Sequence, residues 1–293
     1  MSSKIAPDLH DQVIVITGGN SGIGRESAVA LAAMGATVVI TARNPAKGQA
    51  ALADVRQRSG SSRVELMDLD LADFASIRSF AAELLARFDR LDVLVNNAGG
   101  IISDRVHTAQ GFEMTFGVNH LGHFLLTELL LDRLVQSAPS RVVTVASIAH
   151  RFALSGLSFD DLQGDLGYSS MDAYAKSKLA NILFSNELAR RLEGTGVTSN
   201  ALHPGGVRSG FGKSDHNRGI DRIAMVVGAP FLRSPKGGAK TTVYLASSPA
   251  VAGATGGYYV RSKRHTPSKR ARDTDAARRL WDESESLVAQ ADA

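Results

Sequence analysis

The 293-residue sequence contains no cysteine, which excludes disulfides, thiolate zinc sites and a cysteine nucleophile. It also lacks a long apolar run. The longest candidate, residues 224–232, is about nine residues long and includes Gly228 and Pro230, so it is too short to span a bilayer. Residues 1–12 are polar and lack the apolar stretch of a secretory signal. We therefore expect a cytoplasmic protein without a membrane span.

The chain also has little net charge, because its 33 basic and 29 acidic residues nearly balance and leave a net charge of +4. This balance predicts no nucleic-acid partner. One segment, residues 261–272, departs from it, with six cations and no acidic residue before Asp273: Arg261, Lys263, Arg264, Lys269, Arg270 and Arg272. A solvated surface is the ordinary interpretation. An anionic substrate or a membrane surface remains the alternative.

Strand-like apolar runs alternate with helix-like stretches along most of the chain. The predicted strands cover residues 13–17, 37–40, 64–67, 91–95, 142–146 and 197–202. The predicted helices cover residues 26–34, 45–58, 74–88, 117–137 and 171–193. This alternation predicts a parallel sheet with helices on both faces. No linker interrupts the pattern, so we expect one domain over residues 1–293, with a helical tail at about 273–290.

A glycine-rich turn follows the first predicted strand. Its spacing is Gly-x-x-x-Gly-x-Gly, at positions 18, 22 and 24. Glycines there permit a tight turn and a close approach of a pyrophosphate, while the N-terminus of the next helix offers N–H groups to phosphates. We predict a dinucleotide site that includes Gly18, Asn20, Ser21, Gly22, Ile23 and Gly24.

The end of the second strand indicates which dinucleotide binds. An acidic residue there accepts from the ribose 2′-hydroxyl of NAD, whereas an arginine accommodates the 2′-phosphate of NADP. This sequence has Arg43, with no acidic residue near it. We therefore predict NADP(H), with NAD(H) less favoured.

Several polar residues carry candidate chemistry. Tyr174 and Lys178 are four apart in a helical segment, hence on one face, where a cation favours the phenolate of a nearby tyrosine. Ser147 follows the fifth strand and Asn96–Gly99 follows the fourth, at the edge where open α/β sheets bind ligands. Asn119 lies near the start of the long helix.

Together these residues resemble the short-chain dehydrogenase/reductase family. The motifs occur in the family's order and cover about residues 10–260: Thr-Gly-x-x-x-Gly-Ile-Gly (17–24), Asn-Asn-Ala-Gly (96–99), Asn119, Ser147, Tyr174-x-x-x-Lys178 and Pro204-Gly205. The sequences at 118–124 and 177–184, and the tail around Trp281, are most similar to the retinol dehydrogenase and WW-domain oxidoreductase branch. The hydrophobic N-terminal anchor of many members of that branch is not seen here.

The resemblance implies a Rossmann-type sheet of order 3-2-1-4-5-6-7 and a role for each matching residue. Tyr174 exchanges the proton, Lys178 lowers the pKa of Tyr174 and binds the nicotinamide ribose, Ser147 polarises the carbonyl, and Asn119 holds a helix kink and a proton-relay water. Further cofactor contacts fall on Asp68, Leu69, Asn96, Ala98, Gly99, Pro204, Gly205, Val207 and Ser209, with Ser209 standing where the family has threonine.

We therefore expect an NADP(H)-dependent enzyme that interconverts an alcohol and a carbonyl, with a hydrophobic small-molecule substrate chosen by loops at about 148–170 and 206–235. Phe152, Leu154, Leu157, Phe211, Phe231 and Leu232 lie in these loops. His150 and Arg151 either touch substrate or are solvated. Eight histidines are present, but no metal-ligand spacing is evident, so we expect no metal. Reduction of a conjugated carbon–carbon bond and a non-catalytic NADP(H) sensor are the alternatives, and a homo-oligomer is left open.

Overall fold

The computed structural model describes residues 7–206 and 233–291. Within them, eight strands form one sheet of order β3-β2-β1-β4-β5-β6-β7-β8. The first seven strands pair in parallel, as predicted, and β8 adds an antiparallel edge. The strands are β1 (Val13–Ile16), β2 (Thr37–Ala42), β3 (Val64–Asp68), β4 (Val93–Asn96), β5 (Ser140–Val145), β6 (Val197–His203), β7 (Gly257–Val260) and β8 (Lys263–His265).

Helices cover both faces of this sheet. They are α1 (Gly22–Ala33), α2 (Pro45–Ser59), α3 (Phe74–Arg87), α4 (Met114–Phe116), α5 (Gly122–Gln136), α6 (Ser170–Arg191), α7 (Pro235–Ser247) and α8 (Thr274–Ala291). The central strands β1, β2, β4 and β5 are rich in β-branched residues and largely buried on both faces, so their side chains pack into two separate cores. Ile14 and Ile16 pack into one core, whereas Val15 packs into the other.

The long helix expected over residues 117–137 differs from the prediction in one respect. A π-helical turn, Gly117–Leu121, joins α4 to α5. Such a turn holds one more residue than an α-helical turn, and it redirects the side chains within it. Asn119 lies inside this turn, so the turn sets the direction of its side-chain amide.

The antiparallel strand β8 was not predicted. It follows β7 through a two-residue turn in which Arg261 and Ser262 have φ values of 53° and 59°. Both residues are in the left-handed region, as the tight hairpins that suit the twist of a sheet require. All three residues of β8 are exposed, so hydrophobic patterning gives no sign of this strand.

Candidate functional site

The glycine-rich turn leaves the carboxyl end of β1 and leads directly into α1. Gly18 and Gly22 have φ values of 63° and 52°. A Cβ atom on Gly24 would lie 2.5 Å from the carbonyl oxygen of Gly18, so only glycine fits there. No side chain caps the N-terminus of α1 in the described structure, and its first turn has no acidic residue. The turn therefore offers free N–H groups and a favourable dipole to a phosphate.

Thr17 ties this turn to the end of β4. Its Oγ1 accepts hydrogen bonds from the amides of Asn97 (2.8 Å) and Ala98 (2.9 Å). Asn97 Nδ2 donates back to the Thr17 carbonyl oxygen at 2.7 Å. The same Thr17 Oγ1 lies 2.8 Å from Nε2 of His123 on α5. The predicted Asn96, Ala98 and Gly99 thus lie beside the glycine-rich turn.

Two predicted cofactor residues lie at the ends of neighbouring strands. Arg43 directly follows β2, and Asp68 ends β3 opposite Ala42. Both side chains are exposed, and neither forms an ion pair within the described ranges. The Leu69 amide donates to the Ala42 carbonyl oxygen at 3.3 Å. This edge therefore presents a guanidinium and a carboxylate to solvent, beyond the glycine-rich turn.

Tyr174 and Lys178 lie one turn apart on α6, and both are buried, with 8% and 3% of their surface exposed. Lys178 Nζ is 5.7 Å from the centre of the Tyr174 ring and donates to the Val145 carbonyl oxygen at 3.1 Å. Burial lowers the pKa of Lys178 to about 8. Burial also raises the pKa of Tyr174 to about 12, and a hydrogen bond with Ser147 acts against that rise. The predicted serine, tyrosine and lysine therefore meet at one place.

Asn119 is fully buried in the π-helical turn. Its Oδ1 accepts from the Gly100 amide at 2.9 Å, and its Nδ2 donates to the Gly100 carbonyl oxygen and to Ser177 Oγ, both at 3.0 Å. A Cβ atom on Gly99 would lie 2.7 Å from Asn119 Oδ1 and 3.4 Å from Lys178 Nζ. Asn119 thus joins α6 to the loop after β4, next to Lys178.

His150 corrects an expectation from the sequence. It is not solvated, since only 1% of its surface is exposed, and both of its ring nitrogens lie within hydrogen-bond distance of backbone groups. Its Nδ1 lies 2.6 Å from the Ser147 carbonyl oxygen, and its Nε2 accepts from the Ser268 amide at 3.1 Å. Arg151 is exposed, and its Nη2 donates to the Thr266 carbonyl oxygen at 3.0 Å. Both side chains connect the loop after β5 to the chain beyond β8.

The remaining predicted residues are only partly described. Pro204 and Gly205 follow β6, and Gly205 has a φ of 90° beside the Arg233 side chain. Val207, Ser209, Phe211, Phe231 and Leu232 lie outside the described residues. In the other substrate loop, Phe152 and Leu154 are exposed, whereas Leu157 packs against the core. Within the described ranges, no three histidine or acidic side chains gather as metal ligands.

Sequence reasoning missed Thr17 and His123 as part of the site. Burial lowers the pKa of His123 to about 3, so its ring is neutral and able to take part in directed hydrogen bonds. Its contact with Thr17 joins residues 106 positions apart, which no local pattern reports. The only available sign was that Thr17 opens the glycine-rich motif.

A glycine-lined turn before α1, together with a partly buried serine and a buried tyrosine and lysine at the same sheet edge, is the arrangement of a dinucleotide-dependent oxidoreductase. Residues 12–159 match the family described as short chain dehydrogenase. The chain belongs to this family, in its retinol dehydrogenase branch, which confirms the resemblance seen in the sequence.

Two curated relatives illustrate the branch. Retinol dehydrogenase 14 of Homo sapiens is 44% identical over 294 residues, covering 96% of this chain and 87% of its own length. Retinol dehydrogenase 12 of Mus musculus is 45% identical over 277 residues, covering 94% of this chain and 86% of its own length. In the described part of this chain, no helix is long and apolar enough to cross a bilayer.

Solved structures give the same assignment. An uncharacterised protein from Mycobacterium paratuberculosis is 36% identical, with a TM-score of 0.76 over 96% of this chain and 95% of its own. Pseudomonas aeruginosa RhlG, solved as a complex with NADP, is 28% identical, with a TM-score of 0.68 over 87% of this chain and 96% of its own. The chain is therefore an oxidoreductase of this family, and relatives of the retinol dehydrogenase branch support alcohol–carbonyl chemistry.

Proposed function

We propose that the protein is an NADP(H)-dependent oxidoreductase that interconverts a hydrophobic alcohol and its aldehyde or ketone, with Tyr174 as the acid/base. The observation that carries this proposal is the meeting of the Ser147 and Tyr174 hydroxyls beside the buried Lys178. Lys178, Tyr174 and Ser147 come from two different elements, so their convergence is not explained by one helix or strand.

The chain's residues fit the cofactor. The close approach at Gly24 and the uncapped start of α1 suit a pyrophosphate, with Asn20, Ser21 and Ile23 in the same turn. Arg43, exposed at the end of β2 and free of described ion pairs, suits a 2′-phosphate. When bound, the nicotinamide supplies or accepts the hydride. Asp68, which lies opposite Ala42 at the end of the neighbouring strand, is the feature that favours NAD(H) instead.

The two buried pKa values suit proton transfer. Because burial raises the pKa of Tyr174 to about 12, its hydroxyl is protonated at neutral pH and ready to donate to a carbonyl oxygen in reduction. As that proton leaves, the neighbouring Lys178 cation stabilises the phenolate. In alcohol oxidation, the phenolate form of Tyr174, stabilised by the same cation, accepts the proton instead. The Ser147 hydroxyl hydrogen-bonds the same carbonyl oxygen, and Asn119 holds the loop and helix that carry Lys178 in register.

A hydrophobic substrate is proposed from the loop that follows Ser147. Phe152 and Leu154 there expose 67% and 69% of their surface. The relatives to which the chain is similar are named retinol dehydrogenases, and retinol is a hydrophobic alcohol. This similarity supports a hydrophobic alcohol as the class of substrate. A cytoplasmic location and self-association stay predictions from the sequence.

Replacing Tyr174 with phenylalanine tests the proton-transfer role. Phenylalanine keeps the ring but removes the hydroxyl, so turnover should fall about 10²- to 10⁴-fold, the usual contribution of a general acid. NADPH oxidation with a panel of hydrophobic aldehydes and ketones measures the rate, and fluorescence titration should give an unchanged NADPH affinity. Undiminished turnover would refute the role. NADPH binding without turnover on any carbonyl would shift support to the sensor, and saturated products would shift it to carbon–carbon double-bond reduction.

Replacing Arg43 with aspartate tests the cofactor preference. A carboxylate repels the 2′-phosphate and accepts from a 2′-hydroxyl, so the ratio of the NADPH and NADH dissociation constants should move towards NADH by at least about tenfold. Arg63→Asp is the control, because Arg63 is also exposed but lies before β3, where its Nη1 donates to the His10 carbonyl oxygen at 2.7 Å, away from the carboxyl ends of the strands. An unaltered ratio for Arg43→Asp would refute the assignment.

A further inference from the structure

The basic segment of residues 261–272 forms an exposed surface in the folded protein. All six of its lysines and arginines are exposed. None of them forms an ion pair with any residue in the described parts of the chain. The nearest acidic residue in sequence, Asp273, accepts hydrogen bonds from the amides of Asp275 and Ala276 at the start of α8. The positive charge of the segment is therefore not neutralised locally.

This segment packs against the loop that follows Ser147. Arg151 donates to the Thr266 carbonyl oxygen, and the Ser268 amide donates to His150. A Cβ atom on Gly156 would lie 3.6 Å from Cδ of Arg270. These three contacts hold the basic segment, residues 261–272, beside the loop that follows Ser147.

Two large apolar side chains of that loop are mostly exposed in the part of the chain that the structure describes. Phe152 is 67% exposed and Leu154 is 69% exposed, next to the exposed Arg151. Exposed apolar groups bordered by unpaired cations are the composition of surfaces that lie on anionic membranes, where the cations meet phosphates and the apolar side chains enter the headgroup region. We call residues 151–154 and 261–272 together the basic-apolar patch.

We propose that the basic-apolar patch docks the protein on a membrane surface that contains anionic phospholipids. Charge complementarity supplies the attraction, and Phe152 and Leu154 supply the apolar contact. Phe152 belongs to the short 3₁₀ helix Ile148–Phe152, which begins immediately after Ser147. Docking therefore places the lipid next to the loop that carries Ser147. The proposal does not depend on the proposed reaction, because it concerns binding rather than turnover.

Cosedimentation of the full chain with vesicles tests the proposal. Vesicles of phosphatidylcholine with phosphatidylserine should bind the protein at low salt, and pure phosphatidylcholine should bind it much less. Added salt should weaken the binding, because the screening length falls to about 10 Å at 0.1 M and about 3 Å at 1 M. No binding to the anionic vesicles at low salt would overturn the proposal. Binding of a single-stranded oligonucleotide without binding of vesicles would overturn it as well.

Charge reversals distinguish the patch from net charge alone. Lys269→Glu with Arg270→Glu should weaken partitioning by at least about 30-fold, given the attraction of each cation near an anionic surface. The control is Lys47→Glu with Arg63→Glu, which changes the net charge equally at two exposed positions by the opposite edge of the sheet. It should retain most of the binding. Equal losses in the two variants would overturn the proposal.

Removing the apolar pair tests the second half of the proposal. Phe152→Ser with Leu154→Ser leaves every charge in place and alters only exposed side chains, so the fold should persist. Partitioning should fall by at least about tenfold, the contribution of burying one such side chain. Unchanged binding of this variant would overturn insertion of the pair.

Discussion

Replacing Lys178 with methionine should stabilise the fold while removing the proposed turnover. Lys178 is 3% exposed, and burial lowers its pKa from 10.5 to about 8. Each pKa unit corresponds to about 1.4 kcal/mol, so keeping this cation charged in the folded protein at neutral pH costs about 3 kcal/mol. Methionine fills similar space without the charge. The Val145 carbonyl oxygen keeps a donor, because Asn181 Nδ2 lies 3.2 Å from it.

The difference in unfolding free energy between Lys178→Met and the wild type should depend on pH. Folded Lys178 loses its proton at about pH 8, whereas the unfolded chain holds it to about pH 10.5, so the wild type gains stability as pH rises between these values. The advantage of the variant is therefore full below pH 8 and disappears above about pH 10.5. Urea unfolding should show a difference of about 3 kcal/mol at neutral pH and about 1 kcal/mol near pH 9.5.

The titration of Tyr174 does not enter this comparison, because its folded pKa of about 12 keeps it protonated below pH 10.5 in both proteins and its unfolded form is the same in both. Lys176→Met is the control, since Lys176 lies on the same helix but pairs with Asp172 at 2.7 Å nearer the surface. That variant should gain no stability. A Lys178→Met protein that is less stable than wild type at neutral pH, or whose difference from it does not change with pH, would refute the argument.

Two further predictions concern packing. Trp281→Ala should lower the free energy of unfolding by about 3–5 kcal/mol in urea, because Trp281 is 3% exposed and its ring lies 5.8 Å from Phe184 and 5.0 Å from Phe124. A loss below about 1 kcal/mol would show that α8 contributes little to the core. Gly24→Ala should reduce NADPH affinity in a fluorescence titration, because its Cβ would displace the Gly18 carbonyl from the phosphate turn. Wild-type affinity would contradict the proposed turn.

Six strands of the parallel sheet could be predicted because they are short apolar runs that alternate with helical stretches, whereas β7 was implied only by the family resemblance. Strand β8 could not, since Lys263–His265 are polar and exposed and only the backbone of Arg261 and Ser262 forms the hairpin. The π-helical turn escaped prediction for a related reason. A change in hydrogen-bond register over Gly117–Leu121 leaves the apolar periodicity nearly unchanged.

The candidate site likewise contains residues that the sequence could predict and residues that it could not. Ser147, Tyr174 and Lys178 could be found because strand ends and helix faces place them by rules that a sequence reports. His150 could not, because its role depends on Ser268, 118 residues further along the chain. A histidine near a predicted pocket resembles a substrate ligand until its partners are known. Here both ring nitrogens are used by backbone groups.

Thr17 and His123 show how the cofactor turn and the proton-transfer residues become one rigid unit. Thr17 Oγ1 accepts from two amides, so its single proton is directed to His123 Nε2 at 2.8 Å rather than to the more distant Val95 carbonyl oxygen at 3.3 Å. The ring proton then lies on Nδ1 and donates to the Asn119 carbonyl oxygen at 3.2 Å. Burial lowers the pKa of His123 to about 3, so the ring stays neutral and its Nε2 remains free to accept the Thr17 hydroxyl proton. Since His123 stays neutral wherever Tyr174 and Lys178 titrate, the link between β1 and the Asn119 turn persists across that pH range.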